Sequence, residues 1–270
     1  MIGQAPADGG LSSAAGATAP SVLWKAFDVL GAFSHRHRVL TLAQIVRYTG
    51  LPKSTVHRVL AMLLDTGAVE QAAGGYRIGL RLFALGALPP EAALREAALV
   101  HLEELHRYTG QTLHLAVLRD ADVVYLEKLQ GRKGVSTPAL VGDRLPAHCT
   151  AVGKALLAFS GGGGVAAEAL AGPLTRRTAR SMTSPEQVRR QLDTVRSSGF
   201  AVDREESAAG LSCVAVPILV QDRAVAAVSV AFPASAGDGQ VLVNPLRQTA
   251  AAISRSAAAL RSAELSAAAG

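Results

Sequence analysis

TGLPKSTVHRVL, residues 49–60, decides how the first third of the chain is read. Gly50 stops the segment before it from a left-handed position that glycine adopts cheaply. Pro52 suits the first turn of a new helix, because its missing N–H would have had no partner there. Val56, Val59 and Leu60, continued by Leu63, repeat at helical spacing and define a buried face. Lys53, Ser54, Thr55, His57 and Arg58 are left on the opposite side and at the N-terminal end. A core helix needs its apolar positions. It does not need these five polar groups, two of them cationic, crowded into its first two turns.

Upstream, Val22, Ala26, Val29, Leu30 and Phe33 follow a 3.6-residue period and predict a helix. Thr41-Leu42-Ala43-Gln44 is a capping box opening a second helix, with Leu42, Ile45 and Val46 as its inward stripe. Downstream of Gly67, AVEQ and YRIG read as strands joined by Ala72-Ala73-Gly74-Gly75, a hairpin with a glycine-rich tip. Helix, helix, tight turn, helix and hairpin together spell a winged helix-turn-helix. In that motif the second helix of the pair enters the major groove and its N-terminal residues face base edges. The same end offers free N–H groups and partial positive charge to phosphate. Arg58 and Lys53 are therefore candidates for guanine or phosphate, and Ser54, Thr55 and His57 for either. Arg77, on the hairpin, is placed to reach the adjacent backbone or minor groove. Thr41, at the start of the preceding helix, is counted with this DNA-facing set.

Charge distribution agrees. From Ser21 to Gly86 there are eight Lys and Arg against three Asp and Glu, so +5 of the formal +6 lies in this segment. A localised basic excess points to a polyanion partner; a merely solvated basic face is the alternative.

The 270 residues suffice for two domains with proper cores, and 49% are apolar. Aromatics are only 4%, so Ala, Val and Leu must fill those cores. Cys149 and Cys213 lie far apart, which argues against a disulfide framework and for a reduced, cytoplasmic compartment. No window reaches the roughly 18 apolar residues of a membrane span, and the start lacks a signal-peptide pattern. Residues 1–20, built of Gly, Ala, Ser and Pro, read as a disordered tail, and 263–270 as a second tail.

The organisation that follows is a winged helix over 21–86, a linker helix within 87–109 and a second domain over 110–262. Pro89-Pro90 marks the break. The linker helix, 91–108, turns Leu94, Ala98, Leu102 and Leu105 inward and is a candidate dimer seam. In the second domain, strands are expected at 113–119, 123–129, 213–219 and 224–232. Helices are expected at 150–159, 185–197 and 245–262. Ser184-Pro185-Glu186-Gln187 is another capping box, and Gly199 closes its helix. Asp120-Ala121-Asp122 is a tight turn and Gly161–Gly164 a loop. Consecutive hairpin strands with interspersed helices make this an antiparallel α+β domain.

Enzyme signatures are sparse. There is no Gly-x-Ser-x-Gly elbow, and Val152-Gly153-Lys154-Ala155 lacks the glycine and hydroxyl of a phosphate loop. His101 and His106 are five apart rather than the four that share a helix face. His148 and Cys149 are adjacent, and adjacent side chains do not face one another. A metal set of His148, Cys149, Asp203 and Cys213 matches no known spacing. No catalytic residue, cofactor or metal is expected.

Two stretches remain: RLPAHCTAVGKALLAF, 144–159, and GFAVDREESAAGLSCVAVPI, 199–218. With the winged helix, their pattern resembles the IclR family of bacterial transcriptional regulators over roughly 21–260. It is carried by Pro146, His148, Thr150, Gly153, Lys154 and Ala155, then Gly199, Asp203, Glu205 and Glu206, then Gly210, Cys213, Ala215 and Pro217. The resemblance implies a GAF-like effector domain that takes a small organic or aromatic acid. Carried onto this chain, the pocket lies around Asp203, Leu211, Cys213 and Ser229, with Cys149, Thr150 and Ala151 at the helix start opposite. Val135 and Leu140 join Leu211 as apolar walls. The start of the 150–159 helix suits a carboxylate, and Asp203 would accept from a ligand hydroxyl or amine. Cys149 stands where the family usually has a small residue such as Ala. The expectation is a ligand-responsive repressor on a pseudo-palindromic operator, a homodimer or a dimer of dimers. The competing reading is an enzyme acting on a small carboxylate, with the basic first domain as a docking module.

Overall fold

A computed structural model describes residues 21–268, apart from 133, 134, 136 and 162. The chain divides between Pro89 and Pro90 into two compact units. The tail expected over 1–20 lies outside the described residues.

Unit 1 runs α1 (Val22–Gly31), β1 (Val39–Leu40), α2 (Leu42–Thr49), α3 (Lys53–Asp65), β2 (Val69–Ala72), β3 (Gly75–Ile78) and α4 (Leu80–Gly86). The capping box is complete: Thr41 Oγ1 accepts from Gln44 N at 3.2 Å and Gln44 Oε1 accepts from Thr41 N at 2.8 Å. Gly50 sits at φ 68° as the C-cap of α2. Pro52 stands one position outside α3, with ψ 139°, rather than inside its first turn; its carbonyl accepts the first helical bond, from Val56 N. Val56, Val59, Leu60 and Leu63 are buried with Val29, Leu40 and Ile45 in one cluster. Of the stripe expected on α1, Val29 alone is fully buried, and Val22 is 46% exposed. β2 and β3 pair antiparallel, and the short β1 adds to β3 at the far edge. A Cβ on Gly75 would lie 2.3 Å from the Leu40 carbonyl oxygen, so glycine is what lets β1 close on the hairpin.

Unit 2 opens with α5 (Pro90–Thr109), the linker helix, whose four expected inward residues are all buried. Then come β4 (Thr112–Arg119), β5 (Asp122–Leu129), β6 (Arg144–Pro146), α6 (Ala151–Ala158), α7 (Gly163–Ala169), α8 (Pro185–Ser198), β7 (Ala201–Arg204), β8 (Leu211–Val220), β9 (Arg223–Pro233) and α9 (Val243–Ala268). The strands form one antiparallel sheet in the order β6-β5-β4-β9-β8-β7. Two expectations change. Helix α7 begins inside the glycine run expected to be a loop, and α9 continues to Ala268 through most of the expected second tail.

The sheet's two faces differ in side-chain size, and this places the site. Leu113, Leu115, Val117, Val214, Val216, Ile218, Val228 and Val230 pack in one cluster with α5 and α9. The face that meets α6 carries Ala116, Ala201, Cys213, Ala215, Ala227 and Ala231. Small side chains let α6 settle against the sheet and leave space beside its first turn. Gly153 serves the same closeness: a Cβ there would be 2.2 Å from the Ala147 carbonyl oxygen.

Candidate functional site

Unit 1 presents one polar edge. The buried stripe of α3 faces the other helices, so Lys53, Ser54, His57 and Arg58 are exposed and Thr55 is half-buried. Lys53, His57 and Arg58 make no hydrogen bond or ion pair among the described residues. Two other expected contacts are engaged within the unit. The Thr41 hydroxyl is used in its own cap, donating to Gln44 Oε1 at 3.0 Å. Arg77 is held against Glu70, its Nε and Nη2 donating to Oε2 at 3.0 and 2.8 Å. The Leu80 amide and Arg77 hold the Glu70 carboxyl below its ordinary value. The hairpin thus pairs Arg77 with Glu70 while leaving the Arg77 side chain 56% exposed.

In unit 2 a cavity of about 20 Å³ lies between the small-residue face and the start of α6, room for about one water. Of the residues carried over by the resemblance, Thr150, Ala151, Asp203, Leu211, Cys213 and Ser229 line it. Cys149, Val135 and Leu140 do not. Cys149 is fully buried behind the wall, its thiol toward the Pro146 carbonyl at 3.5 Å. Val135 packs on the same core beside the cavity, and the Leu140 amide caps Asp143 Oδ2 at 2.8 Å. Pro138, Ala139 and Leu145 supply the apolar wall in their place.

Sequence reading did not single out His114, Tyr125, Thr137 and Ser207, which also line the cavity. A lone histidine and a lone tyrosine in otherwise apolar strands were the available signals. His114 Nε2 meets Thr137 Oγ1 at 3.1 Å, and Tyr125 stands edge-on to the His114 ring, centroids 5.2 Å apart. Burial, helped by the Lys128 charge, lowers the His114 pKa to about 3, so the ring is neutral at physiological pH. The Tyr125 hydroxyl and Ser229 Oγ have no hydrogen-bond partner among the described residues, although both residues are buried.

Asp203 is held in a fixed pose. Its Oδ1 accepts from the amides of Glu206 (2.7 Å) and Ser207 (3.4 Å), and Oδ2 from the Ser207 hydroxyl. Burial pushes its pKa up to about 6, against the lowering effect of Ser207 and of the Lys154 charge. Behind it, the fully buried Lys154 of α6 donates to Glu206 Oε1 at 2.6 Å and to the Val202 carbonyl. Both thiols stay protonated: burial drives Cys149 up to about 12 and raises Cys213 well above its usual value. His148 is turned to the Thr175 carbonyl, 3.2 Å away, so no nucleophile–base pair forms at 148–149.

An outward cationic helix on a winged unit, joined to a sheet unit that encloses a polar cavity, defines a DNA-binding protein with a small-molecule site. Comparison with known proteins gives the particular family. Residues 22–73 match the IclR helix-turn-helix domain and residues 90–255 the C-terminal domain of the bacterial transcriptional regulator IclR. The chain is 34% identical to the HTH-type transcriptional regulator XynR of Escherichia coli over 86% of its own length and 94% of that protein's. It is 35% identical to the glycerol operon regulatory protein of Streptomyces griseus, with the same coverage of each chain. An IclR homologue of Microbacterium hydrocarbonoxydans, crystallised with 4-hydroxybenzoate, superposes with a TM-score of 0.80 at 32% identity, covering 88% of this chain and all of that one. The chain belongs to the IclR family of transcriptional regulators and is a DNA-binding regulator.

Proposed function

We propose that this chain is a homodimeric cytoplasmic repressor whose hold on a pseudo-palindromic operator is set by a small organic or aromatic acid in the cavity beside α6. The observation that carries this is the convergence of polar groups on one cavity: the Asp203 carboxylate with the Tyr125 hydroxyl and Ser229 Oγ, the last two making no hydrogen bond among the described residues. Buried polar groups are normally paired, so such a set marks a place where a ligand completes the bonding. The 4-hydroxybenzoate held by the Microbacterium homologue sets the precedent for the ligand class. Lys53, Ser54, Thr55, His57 and Arg58 read the operator. Thr41 and Arg77 serve in positioning, through the α2 cap and the hairpin ion pair.

At about 20 Å³ the cavity is far smaller than such an acid. Binding therefore selects an opened form in which α6 and Thr137–Ala139 stand further apart. That difference between states is what lets the ligand shift an equilibrium, since equal affinity for both would shift nothing. Homodimerisation has its own support in unit 1. Val22, Leu23, Trp24 and Phe27 on α1, and Leu80, Phe83, Leu85 and Leu88 in and just after α4, are large apolar residues left exposed. Exposed apolar surface on this scale marks an interface.

The test pairs a thermal-shift screen of small acids with a gel shift on DNA upstream of the gene. The expected effector raises the melting temperature, releases DNA and is recovered unchanged. At one hundred times its Kd it stabilises by about 2.7 kcal/mol. Consumption of the acid, or stabilisation with no effect on DNA at any concentration, would overturn the reading.

A further inference from the structure

Unit 2 has a second surface that ligand sensing leaves unused. Helix α9 runs beside β8, and Ser254 Oγ accepts from the Leu219 amide at 3.1 Å. A groove opens on either side of that bond. One stretch, about 550 Å³, is flanked by Arg196 and Arg247; the next, about 330 Å³, by Arg255 and Arg261; both include Leu219 and Ser254. All four arginines are exposed. Arg196 is anchored on the Ala158 carbonyl and Asp193, and Arg247 on the Ser198 carbonyl. Arg255 and Arg261 have no hydrogen bond or ion pair among the described residues. No carboxylate lines either stretch among the described residues.

The position of the unpaired pair is informative. The Glu91–Arg119 ion pair sets the first turn of α5 at the C-terminal end of β4. Strand β9 pairs antiparallel with both β4 and β8, so β4 and β8 end on the same side of the sheet. Arg255 and Arg261 flank Leu219 and Val220, the last residues of β8. They lie at the same end of unit 2 as the first turn of α5. Six residues of helix separate them by about 9 Å along the axis.

We propose that the Arg255–Arg261 end of this groove is a second DNA contact, which binds the sugar–phosphate backbone of duplex DNA without reading its sequence. Guanidinium groups suit this task, because they are weakly hydrated and present several donors to phosphate oxygens. Gln221, on the same groove, adds a neutral hydrogen-bonding group.

The experiment uses the full chain and a random-sequence duplex, so it needs no knowledge of the operator. Binding of wild type, R255Q/R261Q and K53Q/R58Q is followed over roughly 50–200 mM salt. For R255Q/R261Q the expected results are several-fold weaker binding and a salt slope shallower by about 0.9 for each phosphate that is no longer neutralised. Both substituted residues are exposed, and an unchanged melting temperature confirms an intact fold. Wild-type affinity and slope in R255Q/R261Q, with K53Q/R58Q impaired, would overturn the second contact and leave the recognition helix standing. The reverse pattern would support the groove and overturn the recognition helix. Undiminished DNA binding together with abolished binding of an oligoglutamate peptide would reassign the groove to an acidic protein.

Discussion

Lys154 is the largest side chain with no solvent exposure among the described residues, and its charge is compensated within the fold. It ties α6 to Glu206 and to the Val202 carbonyl, which brackets Asp203 from behind. Glu206 Oε2 is buried without a partner, so this pair has little spare compensation. Lys154→Met leaves a buried carboxylate uncompensated and should cost about 3–5 kcal/mol in urea unfolding. Lys154→Met with Glu206→Leu should recover most of that loss; no recovery would mean the pair is not the source. Asp203 carries a pH signature of opposite sense to an ordinary ion-paired acid. Its folded pKa, about 6, lies above its ordinary 3.8, so folding takes up a proton. The stability this represents is present below about pH 3.8 and is lost as pH rises through 6, about 3 kcal/mol in all. Asp203→Asn should therefore flatten the wild-type decline between pH 4 and 7. His114 works in the other direction over an overlapping window: its pKa falls from 6.5 to about 3, so its neutral burial is increasingly unfavourable below 6.5. The difference between wild type and the Asp203 variant cancels that contribution. A parallel pair of pH curves would show that Asp203 is ionised throughout.

At the scale of the element, what could be read in advance was what is locally encoded. Thr41, Gln44 and Gly50 bound α2 through bonds spanning three or four residues, and all were visible as spacing. The Ser184 box is half realised: its hydroxyl accepts from Gln187 N at 3.4 Å but donates to Glu186 rather than serving a reciprocal cap. Strands β1, β6 and β7 escaped notice because two to four residues carry no period. The cavity was half legible for a related reason. Asp203, Leu211, Cys213 and Ser229 came from the resemblance, carried over position by position, whereas Thr137–Ala139 lie on an irregular crossing whose course only the packed sheet determines. Val135 and Leu140, apolar and nearby in sequence, were the natural but displaced choices. Gly153 shows how tightly α6 is seated. Gly153→Ala puts a Cβ against the Ala147 carbonyl, and overpacking of this kind costs about 1–3 kcal/mol. Gly31→Ala, with nothing within 4 Å of the new Cβ at the end of α1, should be neutral or stabilising by up to about 1 kcal/mol. Equal effects of the two substitutions would show that α6 does not press on the turn beneath it.

At the scale of the molecule, the two units divide the work, and charge announces the division. Residues 21–86 carry a net charge of +5, and the polar cavity lies after Pro89. What composition did not announce is the unpartnered apolar surface of unit 1. Val22, the first of the periodic set on α1, is 46% exposed; Trp24 and Phe27, outside that set, are 49% and 60% exposed, and Phe83 on α4 is 76% exposed. A period of 3.6 reports that a helix has an apolar face; it does not say whether that face meets its own chain or another copy. If these residues join two copies, Phe27→Glu with Phe83→Glu places like charges in a desolvated seam and should give a monomer in sedimentation velocity. The substitutions leave the core of Val29, Leu40, Ile45 and Val59 untouched, so the melting of each unit should stay cooperative. Binding to a two-half-site operator should then weaken by about 10²–10⁴, because linked half-sites act through effective concentration. Binding to an isolated half-site should be unaltered. A variant that remains dimeric with full operator affinity would move the seam elsewhere, to α5 or the outer surface of unit 2, and would leave the apolar face of α1 and α4 without a role in DNA binding.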